Sequence, residues 1–282
     1  MKLCRYGKPG YEKPGMIDGE GKLRDLSKII DNIGPNELSP RGVKVLARLK
    51  SETLPLVNGA PRYGVPYVGI GKFIAIGLNY SDHAKEAGLP LPAEPIVFMK
   101  ATTCINGPSD DVVQPKNSTK LDWEIELGVV IGTQARYVDE AAALNHVAGY
   151  CIVNDVSERS FQMATSQWDK GKGFDTAGPI GPWLVTTDEI ADPQGLDMKL
   201  EVNGRVMQSG NTRTMVFNVA KIVSHVSQYM TLLPGDIIAT GTPPGVGLGI
   251  KPSPVFLKLG DVMTLTIEGL GQQRQKVVPY SA

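Results

Sequence analysis

The chain has 282 residues, 41% of them hydrophobic, with 29 Lys+Arg set against 29 Asp+Glu. That length suffices for one large domain plus a small one. The charge balance removes any bulk electrostatic pull toward nucleic acid or an anionic membrane, and no apolar run approaches the roughly 20 residues needed to cross a bilayer. The 32 Gly and 21 Pro point to many turns, and so to short strands rather than long helices. Cys4, Cys104 and Cys151 are widely spaced, with no Cys-x-x-Cys, and read as reduced thiols. The start, Met1 to Tyr6, lacks the apolar core of a signal peptide, so a cytoplasmic protein is expected.

Residues 1–70 read as a small N-terminal domain and 71–282 as a larger one. Lys2 to Tyr6 is a candidate strand, and Asp18-Gly19-Glu20-Gly21 a hairpin turn. Ser39-Pro40 opens a helix with Pro at its first position, and Val43, Leu46, Ala47 and Leu49 supply its apolar face. Pro55 to Pro66 reads as a linker. Phe73 to Gly77 is a short buried strand. A helix follows, capped by Ser81 or Asp82 and ended by Gly88. His83 and Glu86 are neighbours on it, a carboxylate orienting an imidazole, which makes a general base. Ile96 to Met99 is a strand ending in Lys100, a position where a lone lysine is usually solvated.

Asp122 to Gly132 is the stretch around which the chemistry is organised. Its β-branched, apolar tail reads as a strand, so Trp123, Ile125 and Leu127 share one face. Glu124 and Glu126 share the other, and alternation would add Asp122 to them. Two carboxylates side by side on a buried face need a cation between them. Asp139 opens a short Ala-rich helix carrying His146. Gly149 to Asp155 is a strand that delivers Asp155 at its end. Val156 to Trp168 reads as a helix with Arg159 and Gln162 one turn apart, followed by a Gly-rich loop over Asp169 to Asp175 that brings Lys172 near a ligand. Leu200 to Met207 is a hairpin with an Asn203-Gly204 turn. Asn218 caps a helix with Val219, Ile222, Val223, Val226 and Met230 on one face, which leaves His225 exposed. Ile237 to Ala239 is a strand leading into Thr240 to Gly247, and the chain closes in strands.

Glu124, Glu126 and Asp155 form an all-oxygen set, which suits a hard cation: Mg²⁺, with Mn²⁺ or Ca²⁺ possible. Zinc would ask for His or Cys. Such an ion holds a 2-keto acid by its carboxylate and keto oxygen and stabilises an enolate. Lys100, Lys172, Gln162 and Thr242 are groups able to hold a carboxylate or oxyanion. Competing motifs fail. Gly245-Val246-Gly247-Leu248-Gly249 has prolines before it and Pro252 after it, which deny the helix start a pyrophosphate needs. There is no Gly-x-Ser-x-Gly elbow and no phosphate-binding Gly-Lys-Ser/Thr loop.

Four segments in order carry a resemblance: Asn79-Tyr80-x-x-His83-x-x-Glu86; Glu124-x-Glu126-Leu127; Gly149-Tyr150 through Asn154-Asp155-x-Ser157-x-Arg159 to Gln162; and Gly235-Asp236 to Gly241-Thr242-Pro243-x-Gly245-Val246-Gly247. Over roughly residues 70 to 270 the chain resembles the fumarylacetoacetate hydrolase family. The resemblance implies an α+β, β-rich fold, a mixed β-sandwich roll with a small N-terminal α/β domain, usually a homodimer. It also implies Mg²⁺ on Glu124, Glu126 and Asp155, Lys172 as the active-site lysine, and Arg159 among the substrate-binding residues. Ala101 stands after Lys100 where Pro is common, and Gly173 after Lys172 where Ser is common. Both bear on substrate fit.

The expected activity is metal-dependent hydrolysis of a C–C bond in a 2,4-diketo acid, giving pyruvate and a carboxylic acid, with His83 and Glu86 activating the water. The N-terminal extension resembles a bacterial branch acting on sugar-derived acids. The alternatives are decarboxylation of an oxaloacetate-type substrate or 2-keto acid tautomerisation on the same fold, and, from another class, a non-catalytic metal-dependent binding protein.

Overall fold

The computed structural model describes residues 1–88 and 90–281. In chain order the strands and helices run β1 (Lys2–Tyr6), β2 (Lys13–Ile17), β3 (Leu23–Asp25), α1 (Pro35–Leu38), α2 (Pro40–Leu46), β4 (Phe73–Gly77), α3 (Ser81–Ala87), β5 (Ile96–Lys100), β6 (Ile105–Asn106), β7 (Val112–Gln114), β8 (Leu121–Asp122) and β9 (Ile125–Ile131). They continue with β10 (Val147–Asn154), β11 (Ser157–Glu158), α4 (Arg159–Gln162), α5 (Asp169–Lys172), β12 (Gly178–Thr186), β13 (Asp197–Val202), β14 (Arg205–Asn211), α6 (Val219–Tyr229), β15 (Ile237–Ala239), β16 (Val262–Ile267) and β17 (Gly271–Pro279). The fold is the β-rich α+β arrangement that the sequence implied.

A ten-stranded mixed sheet runs β3-β2-β1-β12-β10-β9-β15-β4-β5, with β6 added beside β12. A second, five-stranded sheet runs β14-β13-β16-β17-β7 and packs against the β9, β10 and β12 part of the first. Every residue of β9 and β10 is buried. A strand covered on both faces has no solvent side to alternate with, which is why these two read as continuous apolar runs. β16 alternates half-buried and buried residues, as expected of a strand with only its inner face covered.

Register places the acidic residues. β9 and β10 are antiparallel with Glu126 opposite Val153 and Ile125 opposite Asn154, and the Asp155 N–H donates to the Glu124 carbonyl at 2.9 Å. Side chains two apart on a strand share a face. Asp155 and Val153 therefore lie on the face that carries Glu124 and Glu126.

Residues 1–25 form β1 to β3, and β1 pairs with β12, so this segment extends the large sheet. Ser39 caps α2, accepting from the Gly42 N–H at 3.1 Å, with Pro40 at the first position. The Asn203-Gly204 hairpin forms, both residues at positive φ. Several details differ from expectation, among them that α3 is preceded by Tyr80 with no side-chain cap from Ser81 or Asp82. The segment after β10 is no long helix: it makes the strand β11 and the single turn α4. Asp169 to Lys172, expected as loop, is the short helix α5. The Ala-rich segment ending at His146 is a 3₁₀ helix. α6 buries Val219, Ile222, Val223 and Val226 as expected, but Met230 has left the helix, and His225 is half-buried with its ring edge-on to Tyr229.

Candidate active site and metal centre

Glu124, Glu126 and Asp155 each offer an oxygen, and the three atoms lie within 4.8 Å of one another. All three residues are buried. Asp122, expected beside them by strand alternation, turns elsewhere: its carboxylate accepts from the backbone N–H groups of Trp123, Gly247 and Leu248 and from Arg159 Nε. It holds the 247–249 turn against β8 instead of facing a cation.

Cations surround two of the three carboxylates. Lys172 Nζ donates to Glu124 Oε2 and Asp155 Oδ2, both at 2.7 Å. Lys100 Nζ donates to Asp155 Oδ1 and to the Lys172 carbonyl, each at 2.5 Å. Arg159 donates to Glu124 Oε1 at 2.6 Å, to Asp122 at 2.8 Å and to the Gln162 side-chain Oε1 at 3.0 Å. Burial opposes ionisation of Glu124, yet Lys172 and Arg159 outweigh it and hold the carboxyl down at about 2. Burial likewise works against the Lys172 ammonium, but Asp155 and Glu124 dominate and raise it.

Glu126 is the exception. Its one hydrogen bond is from the Gly241 N–H at 2.8 Å, and among the described residues no lysine or arginine pairs with it. Burial first, then the Asp155 and Glu124 charges, push its carboxyl well above the usual range. A buried carboxylate with no counter-charge, facing two others, is the situation a dication resolves. The donor set is all oxygen and fits a hard ion. Glu124, Glu126 and Asp155 are the residues that would hold it.

α3 is attached to this centre by two devices. β4 ends at Gly77, Leu78 takes a left-handed turn (φ 51), and the buried Asn79 side chain donates to the carbonyls of Phe217 and Thr240 and accepts from the Phe217 N–H. At the other end Glu86 accepts from the Gly245 N–H at 3.0 and 3.2 Å. Gly245 itself has φ 102, and a Cβ there would lie 2.0 Å from the Met207 carbonyl oxygen, so only glycine closes this loop. Between these anchors His83 Nδ1 lies 3.1 Å from Glu86 Oε2.

A cavity of about 400 Å³ opens over the carboxylates, with His83, Glu86, Gln162, Lys172 and Thr242 on its walls. Of the residues singled out from sequence, only Lys100 and Asp155 are absent from the lining. Lys100 is not solvated at its strand end but 2% exposed, bonded to Asp155. Arg159 lines the cavity but spends its donors on Asp122, Glu124 and Gln162. The Thr242 hydroxyl donates to the Ile125 carbonyl and accepts from Gln208. Sequence reasoning missed Gln208, which also receives the Ile125 N–H, and the cavity's apolar wall of Phe98, Trp168, Leu78 and Leu248. No local pattern marks these, because their neighbours come from distant parts of the chain.

Residues 72–278 match the fumarylacetoacetate (FAA) hydrolase C-terminal family. The chain belongs to this family. A Burkholderia multivorans relative, provisionally named a hydrolase without a stated substrate, is 60% identical over 276 residues, 98% of each chain. Among solved structures, the fumarylacetoacetate hydrolase of Exiguobacterium antarcticum is 35% identical with a TM-score of 0.87, covering 99% of this chain and 100% of that one. The 2-hydroxyhepta-2,4-diene-1,7-dioate isomerase of Mycobacterium marinum (34%, TM-score 0.77) and the maleylpyruvate hydrolase of Sphingobium sp. SYK-6 (28%, TM-score 0.83) are each covered in full, as is this chain. The last was solved with manganese(II) and pyruvate. The family fold thus serves both hydrolases and isomerases.

Proposed function

We propose that this family member hydrolyses the C3–C4 bond of a 2,4-diketo acid, releasing pyruvate and a carboxylic acid. One observation carries the reading: an oriented His–Glu pair and a buried triacid cluster line or floor the same cavity. The Sphingobium neighbour, with manganese and pyruvate, supports it by analogy.

A divalent cation on Glu124, Glu126 and Asp155, which we take to be Mg²⁺ or Mn²⁺, would supply Lewis-acid charge for the 2-keto acid end of the substrate. The chain's own side chains do the rest. Glu86, fixed by the Gly245 N–H, holds the His83 ring through Nδ1 and leaves Nε2 as the base. Nε2 takes a proton from water, and the hydroxide adds to the C4 carbonyl carbon. The adduct collapses with cleavage of C3–C4, the bonding pair passing to C3 as the enolate of pyruvate. Lys172, freed from Glu124 or Asp155, offers its ammonium to that developing charge. Protonation at C3 gives pyruvate, and the acyl carbon leaves as a carboxylic acid. The three cysteines are free and buried, consistent with a cytoplasmic protein.

The test is pyruvate release from a panel of acylpyruvates in ¹⁸O-labelled water, with Mg²⁺ or with EDTA. Hydrolysis puts label into the carboxylic acid product and stops in EDTA. Turnover without label in that product would move the assignment to decarboxylation or isomerisation, the second activity found on this fold. No turnover of any 2-keto acid would favour a binding protein.

A further inference from the structure

The cavity's outer wall bears on what the acyl end of the substrate is. Trp168 and Phe98 meet edge-to-face, centroids 5.3 Å apart at 71°. The indole is seated on Gly77, where a Cβ would come within 2.7 Å of the ring, so a residue without a side chain is required beneath it. This is a built surface: three elements, β4, β5 and the approach to α5, converge on one aromatic pair. Phe98 also joins it to the carboxylate floor, because Lys172 Nζ stands 5.5 Å from the Phe98 ring centroid. A ligand with its keto-acid head at Lys172 therefore carries its next atoms past these rings. Leu78, Leu248 and Met163 extend the apolar lining.

Polar partners for the acyl end are scarce. His83 and Glu86 are bonded to each other, and Glu86 also to Gly245. The Thr242 hydroxyl and Gln162 Oε1 are taken by protein groups. Among the described residues, His83 Nε2, the Gln162 amide nitrogen and Lys251 are left, and the first is the proposed base. A polyhydroxylated tail would bury several hydroxyls against rings and methyl groups, and each unpaired hydroxyl weakens binding.

We infer that the substrate's acyl end is a flat, apolar group without hydroxyls, held on the Trp168–Phe98 wall, and not the polyhydroxylated tail of a sugar-derived acid. The inference rests on the 2-keto acid reading above and adds the class of substituent. Aromatic faces favour unsaturated or aryl groups, which stack with little entropy to lose.

The test is calorimetric binding to the Mn²⁺-loaded protein of three ligands sharing one head: pyruvate, 2-keto-4-phenylbutanoate and 2-keto-3-deoxygluconate. None has a C4 carbonyl, so none is cleaved. The aryl ligand is expected to bind at least tenfold tighter than the polyhydroxylated one. Trp168→Ala should abolish that preference and leave pyruvate affinity unchanged, while Trp168→Phe keeps it. Equal or tighter binding of the polyhydroxylated ligand would overturn the inference. So would a Trp168→Ala variant that weakens all three ligands alike, which would make Trp168 a purely structural residue. Failure of acylpyruvate hydrolysis with the preference intact would sink the reaction and support the wall.

Discussion

His83 Nδ1 points at Glu86 Oε2 across 3.1 Å, one turn apart on a seven-residue helix. A pair at this spacing is a weak contact in an isolated helix. Here it gains definition because Glu86 is also held by the Gly245 N–H from a loop 159 residues away in sequence. The imidazole is therefore oriented by tertiary structure. Replacing His83 with Ala removes the proposed base and should lower kcat by ~10²–10⁴-fold. Glu124, Glu126 and Asp155, the proposed metal ligands, are untouched, so Mn²⁺ affinity measured by calorimetry should equal wild type. Glu86→Gln keeps an acceptor for Gly245 but loses the charge, and a smaller loss in kcat with unchanged metal affinity is expected.

Glu126 makes the metal-free protein less stable as pH rises. Its folded-state carboxyl is pushed up by burial and by its acidic neighbours, so the folded protein keeps a proton that the unfolded chain releases near pH 4.3. Where the folded state binds more protons, stability is full below the unfolded value and falls as pH rises toward the folded one, by about 1.4 kcal/mol per pH unit. Glu126→Gln removes that slope. At pH 8 the metal-free variant should melt higher than metal-free wild type, by about 2–4 °C per kcal/mol. It should also bind Mn²⁺ far more weakly. Melting curves from pH 5 to 8 with EDTA and with Mn²⁺ check both; an unchanged slope in the variant would contradict the assignment.

Lys172 competes with any cation for the same oxygens. Its ammonium is bonded to one oxygen of Glu124 and one of Asp155, and it is 2% exposed. Lys172→Met deletes the charge but keeps most of the packing volume. The metal-free variant is expected to lose about 3–5 kcal/mol, the usual consequence of leaving buried carboxylates without a partner. Metal affinity should rise, because the ion no longer displaces an ammonium, while turnover is lost. Denaturant unfolding and Mn²⁺ titration read these opposite shifts separately.

The two central strands were legible because each is a long apolar run, and the acidic cluster because its residues break those runs at fixed spacing. The Asn203-Gly204 turn was legible from two residues alone. The segment after β10 was not. Its periodicity suits a helix from Val156 to Trp168, but long-range contacts override it. Glu158 caps α4 through the Phe161 N–H and also receives the N–H groups of Thr119 and Lys120, and Arg159 is drawn into Asp122 and Glu124. Those partners lie 35 to 39 residues back in the chain, so no local window contains the reason. Lys100 shows the same effect. A strand-end lysine reads as solvated until Asp155, 55 residues on, is found beside it.

The Asn154 side chain reaches away from the cavity and still serves it. Its Oδ1 accepts from the Glu124 N–H at 3.3 Å, and its Nδ2 donates to Gln275 Oε1 at 3.1 Å. Gln275 donates onward to Gln273 and the Pro108 carbonyl, and Gln273 to the carbonyls of Ile152 and Gly181. This buried chain of amides ties the backbone of Glu124, a proposed metal ligand, to the second sheet. Asn154→Leu fills a similar volume but orphans the Glu124 N–H and the acceptor oxygen Oε1 of Gln275, at about 1–3 kcal/mol for each unsatisfied group. Outer groups that orient metal ligands are typically worth 10–100-fold in affinity, so Mn²⁺ binding should weaken within that range while KM for substrate at saturating metal changes little. A variant as unstable as expected but with wild-type Mn²⁺ affinity would show that the amide chain supports the fold and not the position of Glu124.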